Sequence, residues 1–286
     1  MDFTKGINNN DVSSSRRKIK KYYVSNTVVP FEEDATHEFK GHKNFTSEEV
    51  PPWAFQTGTD RPSRQPVSKA INGFLNSGIG GTVYLGIVDD GSVKGMVLTQ
   101  YQMDHIVASV DDLMSRYSPP VQSHRYKIKF VPCVSKNATD DEIAIQSSFD
   151  QRKTVDPKLR LRPHRLGLRS RDYCWCDKDC QARTNHNKWL PEYVIEIIIK
   201  QWDPTDPRNQ DLVSSSLKLC PVHEDECGRV NFRRQASNIA YTREEIFTLT
   251  QQEAASHWHD EIKRLRKEVA NIRKQVFTMT SASASY

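Results

Sequence analysis

Residues 71–89 read INGFLNSGIGGTVYLGIVD, and this stretch sets the fold class. Its first part closes a helical pattern. Val67, Ala70, Ile71, Phe74 and Leu75 fall at i, i+3, i+4, i+7 and i+8, one apolar face of an α-helix. The glycine-rich turn at residues 76–81 ends that helix. Residues 82–88 (TVYLGIV) are short and rich in β-formers, and Asp89, Asp90 and Gly91 close them as a tight turn. The pattern predicts a buried strand with Asp89 at its end. A second helix follows, with Met103, Ile106, Val107, Val110, Leu113, Met114 and Tyr117 on one face and Pro119 and Pro120 as its stop. Helix, strand and helix in this order predict an α/β (α+β) fold, a mixed sheet flanked by helices.

Further along, Tyr126, Ile128 and Phe130 alternate with Lys127 and Lys129, the period of a half-buried strand. Residues 193–202 (YVIEIIIKQW) have the length of a buried strand, and strand character returns at residues 230–233. Between these, residues 135–190 hold little periodicity beyond a short strand expected at 142–146, and they read as a long insertion, partly ordered at best. Thr242 with Glu245 and Thr250 with Glu253 form two capping boxes, so one or two helices are expected to run to about Val276. Ile262, Leu265, Val269, Ile272 and Val276 are spaced 3, 4, 3, 4, a short heptad seam that suits a dimerising helix and a helix packed on its own domain equally. The expected organisation is a flexible basic arm at 1–27, a domain at 28–249 containing the insertion, a C-terminal helix at 250–278 and a disordered tail at 279–286. The arm suits nucleic acid or nuclear import, or is simply solvated.

At 286 residues and 36% hydrophobic content, the chain can bury a real core. Residues 1–10 are polar, unlike a secretory signal, and no apolar run approaches the roughly 18 residues of a membrane helix. The expectation is an intracellular protein, cytoplasmic or nuclear, without a membrane partner. Six cysteines in such a chain point to buried thiols or a metal site before disulfides. Positive charge is concentrated: residues 152–171 hold eight basic side chains and one acidic one, a net +7, whereas the rest of the chain sums to −2.

Three segments carry a family resemblance: residues 33–40 (EDATHEFK), 71–89 and 232–246 (FRRQASNIAYTREEI). Together they resemble the Schlafen family. Its pattern is a glutamate, five residues on a second glutamate within Glu-Phe-Lys, a helix, Leu-Asn, Gly-Gly, and an apolar strand ending in aspartate. Glu33, Glu38 and Asp89 fall on those places, and residues 232–246 look like the family's closing strand before a helix. The resemblance implies a single Schlafen AlbA-type domain with an endoribonuclease fold that cleaves structured RNA such as tRNA. It also implies that Glu33, Glu38 and Asp89 are catalytic and bind a divalent cation, Mg²⁺ or Mn²⁺. Such an ion stabilises charge on phosphoryl oxygens and activates water. Glu33 and Glu38 differ by an odd number, so on one ideal strand they would face opposite ways. Glu33 must therefore precede the strand or lie beyond a bend. Glu32 and Asp34 compete with Glu33 for the role, and Asp90 competes with Asp89. The alternative for all these acids is a set of solvated turn residues.

RNA contacts are expected from Lys40 and from Arg160, Arg162, Arg165, Arg169 and Arg171, a stretch suited to phosphates but poor in aromatics for base stacking. Cys174, Cys176, Cys180 and His186 provide four potential ligands for structural zinc, with Cys220, His223 and Cys227 as alternatives, against buried inert thiols. The family's own zinc ligands do not carry over, because His124, Arg125 and Tyr126 stand at the first place and Asp203 and Pro204 near the second. The long Schlafen proteins join two lobes into a clamp, so one copy implies a homodimer or a heterodimer with another Schlafen-type subunit. The rival functions are a noncatalytic RNA- or DNA-binding or assembly subunit and, lower, ATP binding. For the last, residues 78–86 lack the Lys-Ser/Thr of a phosphate loop.

Overall fold

A computed structural model describes residues 21–41, 64–148, 191–212 and 219–283. In chain order these form β1 (Tyr23–Val24), β2 (His37–Lys40), α1 (Gln65–Ser77), β3 (Gly81–Leu85), β4 (Met96–Val97), α2 (Gln100–Arg116), β5 (Tyr126–Val134), α3 (Asp140–Ser148), β6 (Glu192–Ile199), β7 (Val230–Arg234), β8 (Ser237–Tyr241) and α4 (Arg243–Ser283). One sheet has the order β1-β5-β6-β3-β2, with β4 also on β6, and β7 with β8 makes a separate two-stranded sheet. The larger sheet is mixed: β1–β5 and β2–β3 run parallel, while β6 is antiparallel to β3, β4 and β5. This is the α+β architecture expected from the helix–strand–helix order.

Strand alternation divides the core between the two faces of that sheet. Val83 and Leu85 of β3, with Tyr193, Ile195, Ile197 and Ile199 of β6, pack with the apolar faces of α1 and α2. Tyr84, Val131, Cys133 and Val194 belong to a second cluster with Tyr23, Val29 and Phe39. Glu196 shares that second face, where its buried carboxylate accepts from Tyr23 Oη at 2.7 Å and Lys21 Nζ at 2.6 Å. Burial and the charge of Glu196 push the Tyr23 phenol far above its ordinary value.

Helix α1 ends where Gly78 takes φ 72° and donates to Leu75 O. Its polar side is buried, because it binds β7 and the segment leading to it. Asn72 Oδ1 accepts from Asn231 N at 2.6 Å, Asn76 Oδ1 accepts from His223 N at 2.8 Å, and Ser77 Oγ accepts from Arg233 N at 2.8 Å. Each of these side chains satisfies a backbone donor that burial would otherwise leave unpaired. α1 thus joins the sheet on one side and the closing hairpin on the other.

Four details depart from the sequence reading. Residues 142–146 lie in helix α3, not in a strand: Thr139 and Glu142 cap it reciprocally, Thr139 N to Glu142 Oε2 at 2.8 Å and Glu142 N to Thr139 Oγ1 at 3.3 Å. β3 stops at Leu85, because Gly86 at φ 94° bends the chain, so Asp89 lies four residues past the strand in the following turn. Thr242 and Glu245 do form a capping box, but Thr250 Oγ1 donates to Ile246 O at 2.9 Å inside one uninterrupted helix. That helix, α4, continues to Ser283, into the stretch expected to be a tail. No helix among the described residues is long and apolar enough to cross a membrane.

Contacts divide the chain into two compact units, one made of residues up to Trp202 with Val222–Ala240, the other of Asp203–Pro221 with residues from 241 onward. The acidic residues singled out above all belong to the first.

Candidate active site

The segment carrying Glu33 is tied to the turn carrying Asp89 by backbone bonds. Val29 N donates to Gly91 O at 3.0 Å, and Val28 and Ser92 form an antiparallel bridge. Lys40 bridges to Ile87 at the other end of β2. Phe31 packs on the rings of His37, Phe39 and Tyr84 with centroids 4.7, 5.7 and 5.4 Å away. Glu33 therefore lies ahead of β2, as the odd spacing to Glu38 required, and its Oε1 accepts from Phe39 N at 2.6 Å.

Glu33 lies within the electrostatic reach of both other acids. The Glu33 carboxyl is pushed above its ordinary value, first by burial and then by the charges of Glu38 and Asp89, against the pull of the Phe39 N–H and Lys40. The neighbouring acids have other engagements. Asp90 Oδ1 accepts from Ser92 N at 2.8 Å, which lowers its carboxyl, and Glu32 is exposed. Asp34 Oδ1 accepts from Thr36 N at 2.6 Å and His37 N at 2.8 Å. Although burial works upward there, the Thr36 amide, the His37 ring and the Thr36 hydroxyl outweigh it and bring Asp34 from 3.8 to about 2. Asp34 and Asp90 are thus turn residues, whereas the Glu33 carboxyl feels the charge of exposed Asp89.

The Asp34 turn has a pH signature. Its folded-state value is depressed, so its stabilising contribution is present above about 3.8 and is lost as pH falls through about 2. The stability gap between wild type and Asp34→Ala, read by urea unfolding, should be constant near neutrality and close on approaching pH 2. A gap unchanged across that range would contradict this account.

Glu38 is the buried member of the set and is already balanced. Its Oε1 pairs with Lys40 Nζ at 2.6 Å, and its Oε2 accepts from Arg233 Nη1. The Arg233 guanidinium is wholly buried, lies 5.3 Å from the Phe74 ring centre and also donates to Asp34 O (2.9 and 2.7 Å) and His37 O (2.9 Å). In the sequence this arginine stands out only as part of the closing strand. Its reach is legible in three dimensions alone, since 195 positions separate it from Glu38.

The donor chemistry suits a divalent cation in part. Glu33 and Asp89 bring carboxylates whose mutual repulsion a cation would relieve, whereas both oxygens of Glu38 are held by Lys40 and Arg233. Among the described residues no group of three or more His, Cys, Asp or Glu side chains is gathered as a metal centre. Arg160, Arg162, Arg165, Arg169 and Arg171 lie outside the described residues, as do Cys174, Cys176, Cys180 and His186. Of the alternative zinc ligands, His223 is buried, with Nδ1 2.6 Å from Pro119 O and Nε2 unpartnered. Burial, with the Arg125 charge, lowers its basicity. Cys220 Sγ lies 3.8 Å from Pro221 O, and Cys227 Sγ 3.7 Å from Gln65 Nε2. Cys133 is a core thiol that burial and then Glu192 push up to about 12, which makes it unreactive.

A family model described as Schlafen, AlbA_2 matches residues 33–240. The match begins at Glu33 and takes in Glu38, Asp89 and Arg233. That family includes nucleic-acid-binding and nuclease-like members.

Proposed function

Because the chain belongs to the Schlafen AlbA_2 family, we propose that it is a metal-dependent RNA endonuclease, or a subunit of one, acting on structured RNA such as tRNA. The observation that carries this reading is the raised Glu33 carboxyl, held up by burial and by two further acids from separate parts of the chain. A buried Glu38 and a half-buried Glu33 beside a lysine and an arginine, with exposed Asp89 on the adjoining turn, suit phosphate chemistry.

Glu33 and Asp89 would hold a Mg²⁺ or Mn²⁺ ion with Glu38. Bound there, the ion would supply Lewis-acid stabilisation of the phosphoryl oxygens and an activated water. Arg233 fixes the Glu38 carboxylate through one oxygen. Lys40, with its side chain 19% exposed, holds the other and is the group able to exchange Glu38 for an RNA phosphate oxygen. That exchange would release one oxygen of Glu38 toward Glu33 and Asp89, so arrival of RNA and completion of the acidic set would be coupled. The basic stretch at 152–171 would add phosphate contacts that do not read sequence, and zinc would serve structure only.

One observation favours a second reading, a noncatalytic RNA- or DNA-binding or assembly subunit: both Glu38 oxygens are neutralised from within the chain. The test is cleavage of labelled tRNA with Mn²⁺ by the wild type and by Glu33→Gln and Asp89→Asn, with binding measured in parallel. These variants are preferable to changes at Glu38, which would strand buried Arg233. Both should lose cleavage by about 100-fold or more and retain RNA binding. Undiminished cleavage by either would remove that residue from the site, and wild-type binding without cleavage would establish the second reading. Metal analysis of the same preparation would test zinc.

A further inference from the structure

Helix α4 presents an apolar stripe longer than the five-residue seam read from the sequence. With Ile262 taken as position a of a heptad, Ala255, Ile262, Val269 and Val276 fall on a, and Trp258, Leu265 and Ile272 fall on d, three heptads in one uninterrupted helix. Trp258, Ile262, Leu265, Val269, Ile272 and Val276 are 46–54% exposed. A stripe of this length on a helix whose remaining surface is charged calls for a partner.

The flanking charges select which one. The e positions are His259, Arg266 and Arg273, and the g positions include Glu261 and Glu268. In a parallel pair in register, each g residue faces the e residue of the next heptad on the other helix. Glu261 then meets Arg266, and Glu268 meets Arg273, and the two-fold axis repeats both contacts. In an antiparallel pair e faces e and g faces g, setting arginine against arginine and glutamate against glutamate. Within its own helix Glu261 pairs with exposed Arg264, 2.5 Å away, a weak competitor. Ile262, Val269 and Val276 at a, with Leu265 at the central d position, are the choice that favours two strands.

We infer that α4 pairs with α4 of a second copy of this chain as a parallel, in-register, two-stranded coiled coil. Parallel pairing sets the two α4 N-termini at the same end of the coil.

The full chain should sediment at twice its 32.9 kDa mass. Glu261→Arg with Glu268→Arg makes both flanks basic and should raise the dimer dissociation constant by roughly tenfold or more, with helical content unchanged by circular dichroism. Adding Arg266→Glu and Arg273→Glu to that variant exchanges the signs and should restore the dimer. Ala255→Cys should give an oxidised, covalently linked dimer that the parent chain does not, because a-position sulfurs meet only in a parallel coil. A monomeric parent, an assembly larger than a dimer, indifference to the charge reversal, failed restoration or absence of the crosslink would each overturn the inference. The readouts are mass, helical content and linkage, so the result stands apart from that of the cleavage assay.

Discussion

Arg233→Met destabilises the Schlafen domain by about 3–5 kcal/mol, the cost of removing one partner from a buried, hydrogen-bonded charge pair. The guanidinium is wholly enclosed, and its loss removes the donors to Asp34 O and His37 O together with the countercharge of Glu38. Lys40 still faces Glu38 in the variant, so the residual charge is softened but the loop before β2 is released. Arg233→Lys recovers little, because an ammonium cannot span two carbonyls and a carboxylate from one plane. Chemical denaturation reads the effect directly, and a loss below about 1 kcal/mol would mean that the loop is held by the Phe31 aromatic packing instead. The residue is a positioning residue: it holds the acid that the proposed chemistry needs without being offered to RNA.

The second large effect is at Gly80. It adopts φ +73°, and a Cβ built there would lie 2.6 Å from both Gln201 N and Ile199 O, which are backbone atoms with nowhere to go. Gly80→Ala combines left-handed strain with forced separation of β3 from β6, roughly 2–5 kcal/mol in all. Gly228 provides the control, since it has the same φ of +73° but nothing within 4 Å of its virtual Cβ. Gly228→Ala should cost only the conformational part, about 1–2 kcal/mol. Equal losses at the two positions would show that the close approach at Gly80 carries no energy.

The parts of this fold legible in the sequence are those where one physical requirement dominates. α1 and α2 each bury one continuous apolar face, so their 3.6-residue period survives in the sequence; β3 and β6 show the apolar runs of strands covered on both sides, and the first half of β5 shows the alternation of one covered on a single side. The failures have local causes. Ile143 and Ile145 alternate within residues 142–146 and imitate a strand, although the deciding signal was the Thr139–Glu142 cap beside them. β1 and β4 are two residues each, too short to leave a period, and β8 carries mostly exposed side chains. At the candidate site, the family resemblance singled out Glu33, Glu38 and Asp89, and three-dimensional contacts gave Asp90 a turn to stabilise. Arg233 was invisible as a partner of Glu38, because nothing in a linear pattern announces a hydrogen bond across 195 residues.

That same separation imposes an order in time. At translation rates of about 5–20 residues per second, roughly 10–40 s pass between synthesis of Glu38 and of Arg233. Until the closing hairpin emerges, Glu38 has no buried arginine, and the α1 asparagines lack their β7 partner. A ribosome-bound chain therefore carries the acidic residues without the arrangement proposed to make them competent until the closing hairpin has emerged.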